Sequence, residues 1–131
     1  MTGLDTNILV RIFAADDPVQ SECATRLLDE SAAASLFVNV VVLVEFAWTM
    51  RRAFKWDEKW VRIALNHIVR HPALVIQHRD CVLESITLSD KRWNDFPDRL
   101  IGALNQTAGC ETTLTFDRDA ADGPDFRLLR T

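Results

Sequence analysis

Four acidic residues, far apart along the chain, have the types and positions that metal chemistry requires. Asp5 follows the first predicted strand and Asp117 follows the fourth. Glu45 lies about one helical turn beyond the second strand, and Asp98 begins the helix that leads into the fourth. Because reactive groups of parallel α/β sheets sit just beyond the carboxyl ends of the strands, we expect these carboxylates to converge at one edge of a sheet.

A cluster of this kind predicts a bound divalent cation. Carboxylates in one cleft repel each other, so a stable cluster requires positive charge between them. Oxygen ligands without Cys or His favour the hard ions Mg2+ or Mn2+. One or two such ions can activate a water molecule and stabilise the leaving oxygen in phosphodiester hydrolysis. The ion would also link this acidic chain, with a formal net charge of -4, to a polyanion that proteins usually bind through basic charge.

Three of the four acids also have simpler interpretations. Asp5 and Asp98 are suitable helix caps. Asp117, in the sequence Asp117-Arg118-Asp119, suits a solvated turn. For each of these residues taken alone, a structural role is at least as good an explanation as catalysis.

Glu45 is the exception, because it stands in an apolar stretch, residues 42–48. Burying a carboxylate there without a partner would cost several kcal/mol. A salt bridge to Arg51 or Arg52 would be one solution, although both lie further along the chain. The simpler hypothesis is that Glu45 faces a cleft and meets a cation.

Other catalytic arrangements have weaker support in the sequence. His67 and His71 lack the Glu of an H-E-x-x-H motif and are expected on a solvated helix face. The chain has 4 glycines and neither a glycine-rich phosphate loop nor a nucleophile elbow. Its 3 cysteines are widely spaced, which favours small buried residues in a reducing cytoplasm over disulfides. Trp93, beside Lys91 and Arg92, could stack a base, but core packing is the simpler interpretation.

Strands and helices alternate along the whole chain. We predict a short first strand that ends at residues 3–4, and further strands at residues 36–38, 74–76, 112–116 and 126–129. Predicted helices cover 7–14, 41–52, 81–88 with Asp80 as a possible cap, and 98–108 ended by Gly109; two more begin after the caps Asp17 and Asp57. The strands are short and uniformly apolar, which is typical of a parallel sheet covered on both faces. The predicted class is therefore α/β, a three-layer α/β/α sandwich with a short central parallel sheet.

Length and composition are those of one globular domain. The chain has 131 residues, 48% of them hydrophobic and 26% charged, which suits a single domain over residues 1–131. No apolar run approaches the roughly 20 residues of a membrane helix, and the N-terminus does not resemble a signal peptide. We expect no membrane association.

Four segments together resemble the motifs of one known family. Residues 3–11, 44–48, 96–104 and 114–119 resemble, in order, the four acidic motifs of PIN-domain proteins, and especially of VapC-type toxins from bacterial toxin–antitoxin pairs. Each motif alone is weak, but the order, the spacing and the total length agree across nearly the whole chain. The resemblance implies a PIN-like fold and a Mg2+- or Mn2+-dependent endoribonuclease that acts on RNA, forms a homodimer and is inhibited by a small antitoxin protein.

The resemblance also assigns roles to individual residues. It makes Asp5, Glu45, Asp98 and Asp117 the catalytic and metal-binding acids, with Asn7 and Thr115 as polar support and Asp119 as a second candidate for the fourth acid's task. Arg99 departs from the pattern, because the family commonly has a small residue there. It could pair with Asp95 or touch the substrate.

Two other functions remain open at this point. A phosphatase of the haloacid dehalogenase type also has an Asp after its first strand, but it needs a second Asp where this chain has Asn7. A catalytically silent PIN module for binding or assembly is the third hypothesis. For the homodimer, the second helix offers an apolar stripe of Cys23, Ala24, Leu27 and Leu28.

Overall fold

The computed structural model describes residues 1–89 and 96–131. The predictions for Trp93 and its neighbours, and for Asp95 as a partner of Arg99, lie outside the described residues. The chain divides into two compact units, Met1–Gln77 and His78–Thr131, and each is described by itself. The predicted single domain over residues 1–131 stays a prediction.

The first unit contains a three-stranded parallel sheet and four helices. In chain order its elements are β1 (Thr2–Gly3), α1 (Thr6–Phe13), α2 (Pro18–Glu30), β2 (Leu36–Val38), α3 (Val40–Arg52), α4 (Glu58–Arg70) and β3 (Leu74–Ile76). The strand order is β1-β2-β3, with Thr2 opposite Leu36 and Leu36 opposite Leu74. Because all three strands are parallel, their carboxyl ends lie at the same edge, where Asp5 follows β1.

Short polar side chains begin the helices of the first unit. Asp17 accepts a hydrogen bond from the Gln20 backbone at 3.0 Å, with Pro18 as the first helical residue. Asn39 begins α3 in the same way and Asp57 begins α4. Such caps satisfy backbone N–H groups that have no partner inside the helix. The predicted caps Asp17 and Asp57 are confirmed.

The core of the first unit comes from the apolar faces of these helices. Leu9 of α1, Leu43 and Phe46 of α3, and Leu65 of α4 are fully buried. The rings of Phe13 and Phe46 meet edge to face, with centroids 5.5 Å apart. The helix spacing of these residues places them on one side of each helix, so their burial fixes which residues face solvent.

The second unit has three helices and two strands among its described residues. They are α5 (Arg79–Leu88), α6 (Phe96–Thr107), β4 (Thr113–Thr115), α7 (Arg118–Ala121) and β5 (Phe126–Leu128). The two strands pair in parallel, with Thr115 opposite Leu128. Helix α6 ends at Thr107, and Gly109, the residue predicted to stop it, lies two residues further on with a left-handed φ of 99°. The backbone N–H groups of Gly109 and Cys110 donate to carbonyls of the last turn.

Several local predictions are wrong. Helix α6 begins at Phe96, so Asp98 lies inside its first turn and is not its cap. Helix α5 begins at Arg79 after His78, whose φ is 49°, so Asp80 is not a cap either. The cysteines are not small core residues, since Cys23 and Cys110 are exposed and Cys81 is half-buried.

The predicted α/β class with short parallel strands is confirmed. Alternation of strands and helices along the chain was the signal that carried it. In the part of the chain that the structure describes, no helix is both long enough and apolar enough to cross a membrane.

Candidate active site

Asp5 lies at the carboxyl edge of the first unit's sheet and caps α1. Its backbone is extended, with φ -85° and ψ 161°, and its Oδ1 accepts a hydrogen bond from the Thr6 backbone N–H at 2.7 Å. The side chain is exposed. Its second oxygen, Oδ2, receives no hydrogen bond from any described residue. A capping role and a metal-binding role therefore use different oxygens of the same carboxylate.

One residue, Thr6, connects Glu45 to Asp5 by hydrogen bonds. The Thr6 hydroxyl donates to Glu45 Oε1 at 2.7 Å, across 39 positions of sequence. Thr6 thus donates to both carboxylates, through its backbone to Asp5 and through its side chain to Glu45. Such hydrogen bonds to charged groups are strong and directional, so they fix where both carboxylates stand.

Glu45 is exposed although its neighbours in sequence are apolar. The helix geometry of α3 explains this: Val42 and Phe46 face the core while Val41 and Glu45 face solvent. No described residue forms an ion pair with Glu45.

The two arginines considered as partners of Glu45 are engaged elsewhere. Arg51 donates to the Trp56 carbonyl at 3.1 Å. The Arg52 guanidinium lies 4.1 Å from the centre of the Trp48 ring. The salt-bridge interpretation of Glu45 therefore finds no contact within the described residues.

Thr6 is a functional candidate that the sequence interpretation missed. It is only 9% exposed, so its hydroxyl has little access to water and needs a protein partner. The available signal was a hydroxyl residue directly between Asp5 and Asn7. Asn7, predicted as polar support, is exposed, and its side chain forms no hydrogen bond with a described residue.

In the second unit, Asp117 lies two residues beyond the end of β4 and caps α7. Its Oδ1 accepts from the backbone N–H groups of Asp119 at 2.9 Å and Ala120 at 3.4 Å. The Thr115 hydroxyl accepts from the Asp117 backbone N–H at 3.0 Å. Thr115 therefore holds the turn that presents the Asp117 carboxylate. Asp119 lies in the first turn of α7 with an exposed side chain.

Asp98 is half-buried in the first turn of α6. A carboxylate there interacts favourably with the positive end of the helix dipole. The next residue, Arg99, is only 4% exposed, so a direct contact with substrate is not the role that the structure favours for it.

Arg99 joins α6 to the segment beyond Asp117. Its Nη2 donates to the Ala120 carbonyl at 2.7 Å and its Nη1 to the Pro124 carbonyl at 3.5 Å. Its guanidinium lies 4.8 Å from the centre of the Phe126 ring. Gly123 makes room for it, because a Cβ there would lie 1.3 Å from Arg99 Nη1. Nε has no hydrogen-bond partner among the described residues.

The donor set of the first unit fits a hard divalent ion. Mg2+ is usually held by one or two carboxylates and keeps several waters for the remaining positions. Asp5 and Glu45 supply two exposed carboxylates, each with an oxygen that no described residue uses. Within residues 1–89 and 96–131, no group of three or more His, Cys, Asp or Glu side chains could hold a metal ion. The four acids belong to two units that are described separately, so the four-acid cluster stays a prediction.

A protein-family comparison matches nearly the whole chain. The model of the PIN domain aligns with residues 4–125. The chain belongs to the PIN domain family. PIN domains are generally nucleases and typically bind divalent metal ions. The match leaves the haloacid dehalogenase alternative without support, and no curated protein is significantly similar to the chain.

The matched region of this PIN domain includes every candidate site residue. Asp5 and Glu45 belong to its first unit, and Asp98 and Asp117 to its second. The two threonines act differently: Thr6 donates to the Glu45 carboxylate, whereas Thr115 accepts from the backbone N–H of Asp117. The family match implies a nuclease-type fold for the chain.

Proposed function

We propose that this PIN domain is a Mg2+- or Mn2+-dependent endoribonuclease that hydrolyses RNA phosphodiester bonds. The observation that carries the proposal is the Thr6 bridge between Asp5 and Glu45. Two like charges from distant parts of the chain are held by one residue at an exposed position. A cation bound to the remaining oxygens of these carboxylates would offset the repulsion between them.

Each acidic residue and its hydroxyl neighbour would have a defined role in phosphodiester hydrolysis. Asp5 and Glu45 would hold the ion, and Thr6 would keep both carboxylates in the orientation that the ion requires. Asp98 and Asp117 complete the acidic set, with Thr115 holding the Asp117 turn. When bound, the ion activates a water molecule and offsets charge on the reacting phosphate.

The proposed nuclease does not require a covalent enzyme intermediate. His67 is exposed on α4, and Nδ1 of His71 accepts from the Ala73 backbone at 3.1 Å. Cys23 and Cys110 are exposed and far apart in sequence. Among the described residues these offer no nucleophile with an adjacent base, so water is the proposed nucleophile.

We further propose that the chain is the cytoplasmic toxin of a VapC-type pair, and that a small antitoxin inhibits it. The four motifs and their order support this assignment. A short neighbouring gene with a DNA-binding N-terminal region is the expected genomic context. Absence of such a gene would contradict the toxin role and leave the nuclease proposal standing.

A homodimer through α2 is part of the same proposal. The stripe inferred from sequence loses two of its residues, because Ala24 is buried and Leu28 is half-buried. The exposed face instead contains Val19, Cys23 and Leu27, which are spaced four residues apart. Val19 is 78% exposed, and a two-fold axis along this face would bury it against its own copy. Light scattering at micromolar concentration tests the dimer, and Leu27→Asp should convert it to a monomer.

The test of the nuclease compares two matched variants. Asp5→Asn removes the charge but keeps a good helix cap, so the fold should survive while cleavage of an RNA mixture is lost. Asp17→Asn makes the same change at another helix cap and should cleave like the wild type. Cleavage by wild type should need Mg2+ or Mn2+ and stop with EDTA.

Two results would overturn the proposal. Cleavage that continues in EDTA would exclude metal-activated water, and wild-type cleavage by Asp5→Asn would exclude the site. If no RNA is cleaved and no divalent ion raises the melting temperature, the chain is a catalytically silent PIN module.

A further inference from the structure

An open pocket lies beside Asp117 in the second unit. It has a volume of about 470 Å3 and is lined by Phe116, Arg118, Leu128, Leu129, Arg130 and Thr131; we call it the Phe116 pocket. Phe116 is 68% exposed and Leu129 is 43% exposed. A large aromatic side chain gains little from folding at such a position, because its burial is incomplete.

The β4–β5 pairing explains how the pocket forms. Thr115 lies opposite Leu128, and the Leu129 backbone N–H donates to the Thr115 carbonyl at 2.7 Å, which continues the pairing beyond the strand ends. Phe116 and Leu129 therefore leave the two strands side by side. Asp117 follows Phe116 in sequence, so the pocket and this predicted acid lie at the same end of β4.

The side chains that line the pocket are positively charged, although the chain as a whole is acidic. The chain has a net charge of -4, yet the lining includes two exposed arginines and no acidic side chain. Arginine binds phosphate through a planar fork of donors. An exposed aromatic ring accepts a nucleobase by stacking, and this favours bases that are not already stacked in a duplex.

We propose that the Phe116 pocket binds an unpaired nucleotide of the RNA substrate. The Phe116 ring stacks on the base, and Arg118 and Arg130 bind the flanking phosphates. The proposal rests on the proposed ribonuclease function and adds to it the residues that hold one base of the substrate. The two lining arginines, Arg118 and Arg130, favour an anionic occupant over an apolar protein segment.

Binding and cleavage are measured separately, so that the two proposals can fail independently. Fluorescence anisotropy follows a labelled single-stranded RNA of mixed sequence, about eight nucleotides long, in EDTA and low salt. A duplex of the same length is the comparison. Cleavage is measured in a separate assay with Mg2+, in which Asp5→Asn should be inactive.

Variants of Phe116 test the stacking. Phe116→Ala should weaken single-stranded binding by on the order of tenfold to a hundredfold, and Phe116→Trp should preserve it. Phe116→Leu keeps the apolar surface without an aromatic face and should resemble Phe116→Ala. Leu114→Ala changes an exposed apolar residue of β4, two positions before Phe116 and outside the pocket, and should bind like the wild type.

Variants of the arginines test the phosphate contact. Arg130→Gln should weaken binding and lower the slope of log affinity against log salt by about 0.7, the value for one phosphate contact on a single strand. Arg127→Gln removes an equally exposed charge outside the pocket and should leave the slope unchanged.

Three outcomes overturn the pocket proposal. The first is wild-type RNA affinity in Phe116→Ala, and the second is no measurable binding by the wild type. The third is a wild-type dimer that dissociates in Phe116→Ala, because the pocket would then be an interface between copies. Cleavage by Asp5→Asn would instead overturn the proposed function, whatever the binding data show.

Discussion

Replacing Thr6 by valine tests the contact on which the candidate site depends. Valine has nearly the shape of threonine and a similar helix propensity, so the main change is loss of the hydroxyl that lies 2.7 Å from Glu45 Oε1. A hydrogen bond to a charged group contributes roughly 1.5–3 kcal/mol when it is well protected. Glu45 is exposed, so water will replace part of it, and we expect a loss of about 1 kcal/mol.

Urea denaturation measures this loss, and thermal unfolding should show it as a decrease of roughly 4 °C in the melting temperature. A double-mutant cycle with Glu45→Ala isolates the pair, with an expected coupling of about 1 kcal/mol. Thr6→Ser keeps the donor and should keep the coupling. Because Glu45 loses its orientation, Thr6→Val should also weaken Mg2+ binding by about 10- to 100-fold.

Two results would refute the role given to Thr6. A coupling near zero in the cycle would mean that the hydroxyl does not hold Glu45 in solution. An unchanged Mg2+ titration in Thr6→Val, followed by melting temperature, would mean that this orientation does not matter to the ion.

Further predictions concern the caps, the buried arginine and the ion. Gly123→Ala should displace the Arg99 guanidinium from its carbonyl partners and reduce the free energy of unfolding by about 2 kcal/mol; wild-type stability would contradict this. Asp5→Ala should unfold about 1 kcal/mol more easily than Asp5→Asn, because alanine cannot cap α1, as a urea titration of both variants would show. Asp117→Asn should abolish RNA cleavage while Asp119→Asn should retain most of it; equal losses would make both residues ligands. Mg2+ at about 100 times its dissociation constant should stabilise the wild type by roughly 2.7 kcal/mol in calorimetry, and no stabilisation at saturation would exclude the metal site.

Local signals in the sequence determined most of the secondary structure. Strands β2 and β3 begin and end where their apolar runs do. Asp17 and Asp57 begin their helices and Gly109 ends α6. Each of these features depends on hydrogen bonds or backbone angles within a few residues, so the nearby sequence contains the information.

Two helix starts were predicted less well. Helix α5 follows His78, which makes no capping hydrogen bond through its side chain, and α6 begins before Asp98. Both predictions assigned the start to the nearest acidic residue. An acid in the first turn is also favourable, so the residue type alone cannot separate a cap from a first-turn position.

The sequence by itself determined that this chain is a PIN domain, because its acidic motifs recur in order and its strands alternate with helices. Only the tertiary structure decided how the acids are held. Glu45 stands in an apolar stretch but faces solvent, and its partner Thr6 lies 39 positions away. Arg99 could have met substrate and is instead buried against backbone carbonyls. Such contacts depend on which helix faces pack together, and packing joins residues whose separation along the chain leaves no local pattern.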